Sequence, residues 1–388
     1  MDFDLSEDQI AYQDAARSFA EKALEPHAAE WDADKVFPRE VIREAGSLGF
    51  CGLYCPPEVG GLGLNRLDSS LVLEQLAMGC TSTTAFISIH NMTTWMIAEY
   101  GSEQTVQELY PDLVSGEQLA SYCLTEPGSG SDAASIRTNA KLSEDGSHYV
   151  VNGSKMFISG AGETDVLLVM LKTADTGAKG VSSLVIPADA PGVSYGQNLE
   201  KMGWHSQPTR EITFTDVKVP VKNRLGKEGD GFKIAMKGLD GGRINIATCS
   251  LGTAQAAINR SQQYMLERKQ FGQSLSQFQA LQFKLADMVT ELVAARQMVR
   301  LAAYKIDQNH SEATTYSAMA KRFATDVGFQ VCNEALQLHG GYGYMQEYPL
   351  ERYIRDNRVH QILEGTNEIM RLIISRRVLS ADDPEIIL

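Results

Sequence analysis

At 388 residues the chain is long enough for two or three hydrophobic cores, and its 43% hydrophobic and 22% charged content is that of a globular protein. A net charge of −14 excludes a general nucleic-acid binder, which needs a basic stripe against the phosphates. No apolar run reaches the roughly 18 residues of a membrane span. The six scattered cysteines (Cys51, Cys55, Cys80, Cys123, Cys249, Cys332) lack zinc-site spacing, so reduced structural thiols are expected. Met-Asp-Phe-Asp-Leu leads at once into a helix, with no room for a signal or transit peptide. A cytoplasmic protein is expected, or a mitochondrial-matrix one where a transit peptide has been removed.

Ser6-Glu7-Asp8-Gln9 reads as a capping box, with Ile10, Ala15, Phe19 and Ala23 at helical spacing until Pro26. Pro38 suits the first turn of the next helix, which Gly49 can close. Gly60-Gly61-Leu62-Gly63 has no strand before it and no acidic residue after it, and reads as a loop. Helices are expected over 68–78, 83–100 and 103–114, with Gly116 ending the last. His90 sits among apolar and small residues and reads as a packed core histidine. Near Gln118 the pattern changes. Strand-like runs at 119–124, 148–157, 166–172, 181–186 and 211–214 are separated by turns such as Glu144-Asp145-Gly146 and Asn152-Gly153. They predict a small β-barrel or sandwich. From Gly231 long amphipathic runs (232–268, 277–308, 312–338, and a shorter one from Asn367) predict an antiparallel bundle. The expected architecture is mainly α with a β-domain: an N-terminal helical domain (1–118), a middle β-barrel or sandwich domain (119–230) and a C-terminal four-helix bundle (231–388).

Three stretches carry chemistry. Tyr122-Cys123-Leu124-Thr125-Glu126-Pro127-Gly128-Ser129-Gly130-Ser131-Asp132 ends a strand in a loop whose backbone N–H groups and hydroxyls could bind a polar ring edge or a phosphate, or form only a flexible turn. Phe157-Ile158-Ser159 sets an aromatic beside a hydroxyl, a suitable wall for a flat heterocycle, although an isolated Phe is more often core. In Val359-His360-Gln361-Ile362-Leu363-Glu364-Gly365-Thr366-Asn367, one carboxylate sits at an apolar loop-to-helix junction that can raise its pKa toward a base's working range. Thr366 and Asn367 are natural N-caps for the helix that follows. The plain alternative is a capped helix start carrying a surface Glu.

With Arg268-Lys269-Gln270-Phe271-Gly272 and Gln337-Leu338-His339-Gly340-Gly341-Tyr342-Gly343, these stretches occur in the order and spacing of the acyl-CoA dehydrogenases, which the chain resembles from about Leu5 to Val378. The resemblance implies FAD between the β-domain and the C-terminal bundle. It places Tyr122, Leu124, Thr125, Gly130, Ser131, Phe157, Ile158 and Ser159 at the isoalloxazine ring. Arg268, Phe271, Phe278, Gln279, Gln337, Leu338, His339, Gly340 and Gly341 would hold the pyrophosphate and adenosine of a neighbouring subunit's FAD, making the protein a homotetramer. Thr366, Asn367 and Glu368 are further FAD contacts by the same resemblance. Ser131, Asp240, Gly241, Gly242, Arg243, Leu363, Gly365 and Arg376 are its substrate contacts. Glycines inside a helix cost about 1 kcal/mol each. Gly241-Gly242 therefore reads as close helix packing or as space cleared for a thioester, with Asp240 and Arg243 gripping the CoA; the second reading is favoured.

Some relatives carry their base on that helix, where no Glu lies between Gly238 and Arg243, so Glu364 is the candidate base. It would remove the α-proton as the β-hydrogen leaves as hydride to flavin N5, with electrons passed on to electron-transfer flavoprotein. Gly203-Trp204-His205-Ser206-Gln207-Pro208-Thr209-Arg210 and the 358–365 stretch resemble the isobutyryl-CoA branch most. Phe157 stands where the family often has Trp, and Leu363 where it often has Tyr, which would admit α-branching. Isobutyryl-CoA to methacrylyl-CoA, a valine-breakdown step, is the expected reaction. 2-Methylbutyryl-CoA and butyryl-CoA are rival substrates, and a non-catalytic flavin-binding relative is the alternative of another class.

Overall fold

The computed structural model describes residues 4–380. Helix α1 (Glu7–Phe19) starts on the expected capping box, in which the Ser6 hydroxyl accepts from the Gln9 N–H and the Gln9 side chain accepts from the Ser6 N–H. Then follow α2 (Ala28–Asp34), α3 (Arg39–Ser47), α4 (Arg66–Gly79), α5 (Thr81–Tyr100) and α6 (Glu103–Ser115). Pro38 is the N-cap of α3 and not part of its first turn. Helix α5 is buried on nearly every side, and some of its hydroxyls bond back to the preceding turn, as where Thr93 donates to the Ile89 carbonyl at 2.9 Å, while those of Ser82 and Thr84 are buried without a partner among the described residues. His90 is the core histidine expected. The Ala120 N–H donates to its Nδ1 and Nε2 donates to the Leu113 carbonyl, while burial lowers its pKa to about 4. This neutral ring joins α5 to the end of α6 and to the first strand.

That strand is β1 (Ala120–Cys123). It is followed by β2 (Asn139–Leu142), β3 (His148–Ser159), β4 (Val166–Lys172), β5 (Val181–Pro187), β6 (Val193–Tyr195), β7 (Thr209–Pro220) and β8 (Arg224–Leu225). They form one branched sheet in the order β6-β7-β3-β2-β4-β5-β8, with β1 pairing parallel to β4. Along β4 the two-residue period sorts the side chains. Leu167, Val169 and Leu171 share a core with Tyr149, Val151 and Phe214 of β3 and β7, so the sheet folds over itself as a sandwich. Val166, Leu168 and Met170 face Met92 and Met96 of α5. Asn152-Gly153 is not the turn expected from its sequence. It is a bulge within β3, locked because the Asn152 amide exchanges two 2.9 Å hydrogen bonds with Asp216. A second register shift, between Lys155 and Ile158, puts Phe157 at φ 60 and turns its ring outward, 61% exposed.

Helix α7 (Gly231–Glu267) then packs against α4 and α5 on one side and α8 (Gln279–Asp307) and α9 (Ala313–His339) on the other. A hairpin of β9 (Lys269–Gln270) and β10 (Gln273–Ser274) joins α7 to α8. Helix α10 (Leu350–Arg358) and helix α11 (Asn367–Ser380) both pack on α9. Thus α7, α8, α9 and α11 make the expected bundle. The additional α10 has the short, charge-dense sequence Leu-Glu-Arg-Tyr-Ile-Arg-Asp-Asn-Arg, which buries Leu350, Tyr353 and Asn357 at helical spacing but is too short and polar to stand out beside the long runs. No helix among the described residues is long and apolar enough to cross a membrane. Where α7 crosses α4, a Cβ on Gly252 would stand 2.2 Å from the Glu74 carbonyl oxygen, backbone that cannot step aside. Gly252→Val is therefore expected to cost about 1–3 kcal/mol, read as a lower urea midpoint by far-ultraviolet circular dichroism. An unchanged midpoint would mean that the two helices part freely.

Candidate active site

Between α10 and α11 the chain makes a short left-handed turn, with φ of 53° at Glu364 and 91° at Gly365. For a residue with a side chain this conformation costs about 1–2 kcal/mol, so the surroundings must hold it. Two buried cations do so through the carbonyls. Arg243 on α7 lies with Nε 3.4 Å from the Glu364 carbonyl oxygen, and Lys321 on α9 donates to the Gly365 carbonyl at 2.8 Å. The turn aims the carboxyl at α7. A Cβ on Gly242 would stand 2.4 Å from Glu364 Oε2 and 2.8 Å from Met92 Sδ. That oxygen is buried without a hydrogen-bond partner, while the residue as a whole is only half-buried. Burial raises the Glu364 pKa to about 7, against opposing pulls from Lys321 and Arg243.

The glycine pair on α7 thus serves two side chains. Gly242 clears the carboxyl, whereas Gly241 clears the Arg66 guanidinium, which lies 3.5 Å over the Tyr54 ring. Neither gap is simply free space for a ligand, as the sequence reading had it. Asp240 and Arg243 bind each other at 2.7 Å, and Thr314 donates to the second Asp240 oxygen at 2.7 Å. Beside them a cavity of about 380 Å³ opens between Arg66, Trp95, Lys237, Asp240 and Thr314. A larger one, of about 670 Å³, lies between α6 and the β-domain, bounded by Glu108, Asp165, Asp189 and Lys222; none of its lining belongs to the Glu364 cluster.

The turn residues divide their work differently from the sequence reading. Thr366 caps α11 by accepting from the Ile369 N–H at 3.3 Å. Asn367 is buried, and its side chain accepts from Lys321 at 3.0 Å while donating to Asp326 at 2.7 Å. Glu368 is exposed beside Arg371. Leu363 packs against Ala85, Ile246 and Cys249. Arg376 is exposed on α11 without an ion-pair partner among the described residues, and its neighbour Arg377 pairs with Glu312.

On the β-domain side, Tyr122 has a buried hydroxyl without a partner, and its phenol pKa is raised by burial and by the nearby Glu364 charge. Thr125 and Ser159 keep their hydroxyls unused among the described residues, and nothing lies within 4 Å of a Cβ added at Gly128 or Gly130. Ser131 is exposed at the loop tip, and Ile158 points into the sheet core. A buried Lys155–Glu126 pair at 2.8 Å fixes this loop, with Glu126 also accepting the Arg137 and Thr138 N–H groups. A third cluster lies at the far end of α7. Arg268 sits over the Tyr342 ring, Phe271 meets Phe278 edge-on, Gln337, Gly340 and Gly341 are exposed, and Gln279 starts α8. Leu338 and His339 are buried, with His339 stacking on Tyr264, whose hydroxyl donates to the His339 carbonyl at 3.3 Å.

Three family descriptions match end to end: the acyl-CoA dehydrogenase N-terminal domain over residues 6–117, the middle domain over 121–217 and the C-terminal domain over 229–379. The chain belongs to the acyl-CoA dehydrogenase family. It is 53% identical to the mitochondrial isobutyryl-CoA dehydrogenase of Bos taurus, covering 97% of this chain and 90% of that one. It is 54% identical to the Dictyostelium discoideum enzyme of the same name, covering 98% and 91%. The butyryl-CoA dehydrogenase structure from Megasphaera elsdenii superposes with a TM-score of 0.95 at 40% identity, covering 98% and 100%.

The acyl-CoA dehydrogenase is therefore an FAD-dependent oxidoreductase, and the β-domain side suits a flavin: an outward Phe157 ring, an orphaned buried Tyr122 hydroxyl and open backbone at Gly128 and Gly130. Met92, Lys321 and Lys155 escaped sequence reasoning because each lies in an ordinary helix or strand pattern, and Glu126, within the loop after β1, gave no sign of its buried partner. Only the fold brings them to the turn or the loop. Glu364 also sets a pH trend in stability. Its folded-state pKa lies above the ordinary 4.5, so stability is fully present below about 4.5 and falls as pH rises through about 7. Glu364→Gln is expected to melt above the parent at alkaline pH and with it in acid, by differential scanning fluorimetry. A parent that melts higher at alkaline pH would contradict the burial.

Proposed function

We propose that this acyl-CoA dehydrogenase converts isobutyryl-CoA to methacrylyl-CoA, with Glu364 as the base, and passes the electrons to electron-transfer flavoprotein. The observation that carries the reading is the half-buried Glu364 carboxyl, one oxygen without a partner, with its pKa near neutrality. Glu364 takes the α-proton while the β-hydrogen leaves with its electron pair. FAD supplies the acceptor for that hydride when bound. Negative charge gathers on the thioester oxygen, which needs donors already in place. The Glu364 N–H has no acceptor among the described residues and is one such donor. Tyr122, Leu124, Thr125, Gly130, Ser131, Phe157 and Ser159 would hold the flavin ring. The cavity beside Asp240 and Gly241 would receive the CoA arm.

Leu363 supports the branched preference, because its side chain, smaller than the tyrosine often found there in the family, packs on the apolar cluster that holds Ala85 and Cys249. Such discrimination is worth only about 1–3 kcal/mol. Anaerobic titration of the yellow protein with isobutyryl-, 2-methylbutyryl-, butyryl- and isovaleryl-CoA is expected to bleach the flavin fastest with isobutyryl-CoA. In Glu364→Gln the bleaching is expected to disappear, whereas faster bleaching by butyryl-CoA would overturn the substrate and leave the base. Leu363→Tyr is expected to slow branched thioesters more than straight ones, and equal slowing would remove Leu363 from the specificity argument.

A homotetramer accounts for the third cluster. Gly242, beside the base, and Arg268 are separated by 26 residues of helix and its cap, about 39 Å at 1.5 Å per residue. A dinucleotide whose flavin lies at Glu364 would meet the Arg268 cluster of another subunit. Phe271, Tyr344 and Leu266 are 93%, 79% and 61% exposed in that region, an apolar surface suited to burial between subunits. Phe271→Asp is expected to yield a smaller species that loses its flavin, by sedimentation velocity read at the flavin absorbance. A fully yellow tetramer would refute this role.

A further inference from the structure

We propose that Lys321 is the positioning residue for Glu364, its ammonium both clamping the left-handed turn and favouring the ionised carboxylate. The inference rests on Glu364 being the base. Lys321 is fully buried in the middle of α9, a place where an ammonium is costly unless it is used. Its two hydrogen-bond acceptors straddle the turn: the Gly365 carbonyl at 2.8 Å and Asn367 Oδ1 at 3.0 Å. Asn367 is itself fixed, since its amide donates to Asp326 at 2.7 Å and to Thr325 at 3.0 Å. The clamp is therefore anchored on α9 at one end and grips the first residues of α11 at the other. Without it, the side-chain hold on the Glu364 and Gly365 carbonyls among the described residues reduces to the long Arg243 contact.

The charged and titratable surroundings can be named. Lys321 feels Glu364 from the turn, Arg243 from α7, Asp326 from its own helix and Glu368 from α11. Glu364 feels Lys321 and Arg243, and its charge in turn reaches Tyr122 on β1 and Cys249 on α7. Burial lowers the Lys321 pKa to about 7, with the Glu364 charge opposing the drop. The two groups thus titrate as a pair, each charge favouring the other. Removing the cation raises the proton affinity of the carboxyl. The base must lose its proton to act, so the acid limb of the pH profile moves to higher pH.

Lys321→Gln separates the two parts of the role, because its amide can still donate to the turn carbonyl but carries no charge. Lys321→Met removes both. The holoenzyme is reduced anaerobically with isobutyryl-CoA across a pH series. The carboxyl is followed separately by infrared difference titration, with Glu364→Gln identifying its band. For Lys321→Gln the acid limb and the infrared midpoint are expected to rise together by about one pH unit, with the alkaline plateau within a few-fold of the parent. Lys321→Met is expected to add a plateau loss of at least about tenfold. An unmoved limb and midpoint in Lys321→Gln would overturn the proposal, even if activity fell equally at every pH. Should Lys321→Met fail to retain flavin, the Gln variant decides alone, since it keeps a donor at the clamp. If Glu364→Gln still bleaches, it is the base assignment that has failed, whatever the Lys321 variants do.

Discussion

The active region depends on one arrangement: a carboxyl held half out of water, against a helix that has no side chain at the point of contact. The carboxyl sits there only because Gly242 has no Cβ and because the backbone at Glu364 turns left-handed. Both features work against local stability, since glycine weakens a helix and a left-handed non-glycine residue is strained. Neither is demanded by the packing of a bundle. Together they put a carboxyl of near-neutral pKa at the junction of α7, α9 and the β-domain, and the Arg243 and Lys321 contacts offset the strain.

Helix α7 gives this arrangement its geometry. It packs on α4 and α5 on one side and on α8 and α9 on the other, so its polar side chains at Asp240 and Arg243 are buried and must pair. The β-domain supplies its half through a bulge. By putting Phe157 at positive φ, the register shift in β3 turns a residue that alternation would assign to strand packing into an outward wall. Lys155, in the same irregular stretch, is carried inward to Glu126 and fixes the loop that follows β1. One local irregularity therefore sets both the ring and the loop that would face a flavin.

Much of this was legible in the sequence. The long helices, the capping box at Ser6 and the core role of His90 follow from period, cap chemistry and composition, whereas the carboxyl before Gly365 stands out from a capped helix start only through the family resemblance. What was not legible depends on partners distant in sequence. Strand β2 has neither β-branched nor aromatic residues and exists because β3 pairs with it. Asn152-Gly153 has the composition of a turn and becomes a bulge only because Asp216 meets it from β7. Gly241 and Gly242 announced a close approach, but not that an arginine from α4 and a glutamate from beyond α10 would fill the two spaces. Lys321 gives no signal of its own, since a lysine in an amphipathic helix normally faces water.

The left-handed turn also links the two halves of the proposed chemistry. In that proposal the Glu364 side chain is the base, and the backbone N–H of the same residue, which has no acceptor among the described residues, is a donor for the charge that proton removal would create. A base and an oxyanion donor on separate elements can drift apart as those elements move, and rate falls steeply with small errors of placement. Here the two groups share one Cα, so their separation is set by covalent geometry and by the pair of dihedral angles that the carbonyl contacts hold. Whatever loosens the turn disturbs proton removal and charge stabilisation together. That shared dependence explains why a strained turn, held by buried cations, suits this position better than a relaxed helix start with an exposed glutamate.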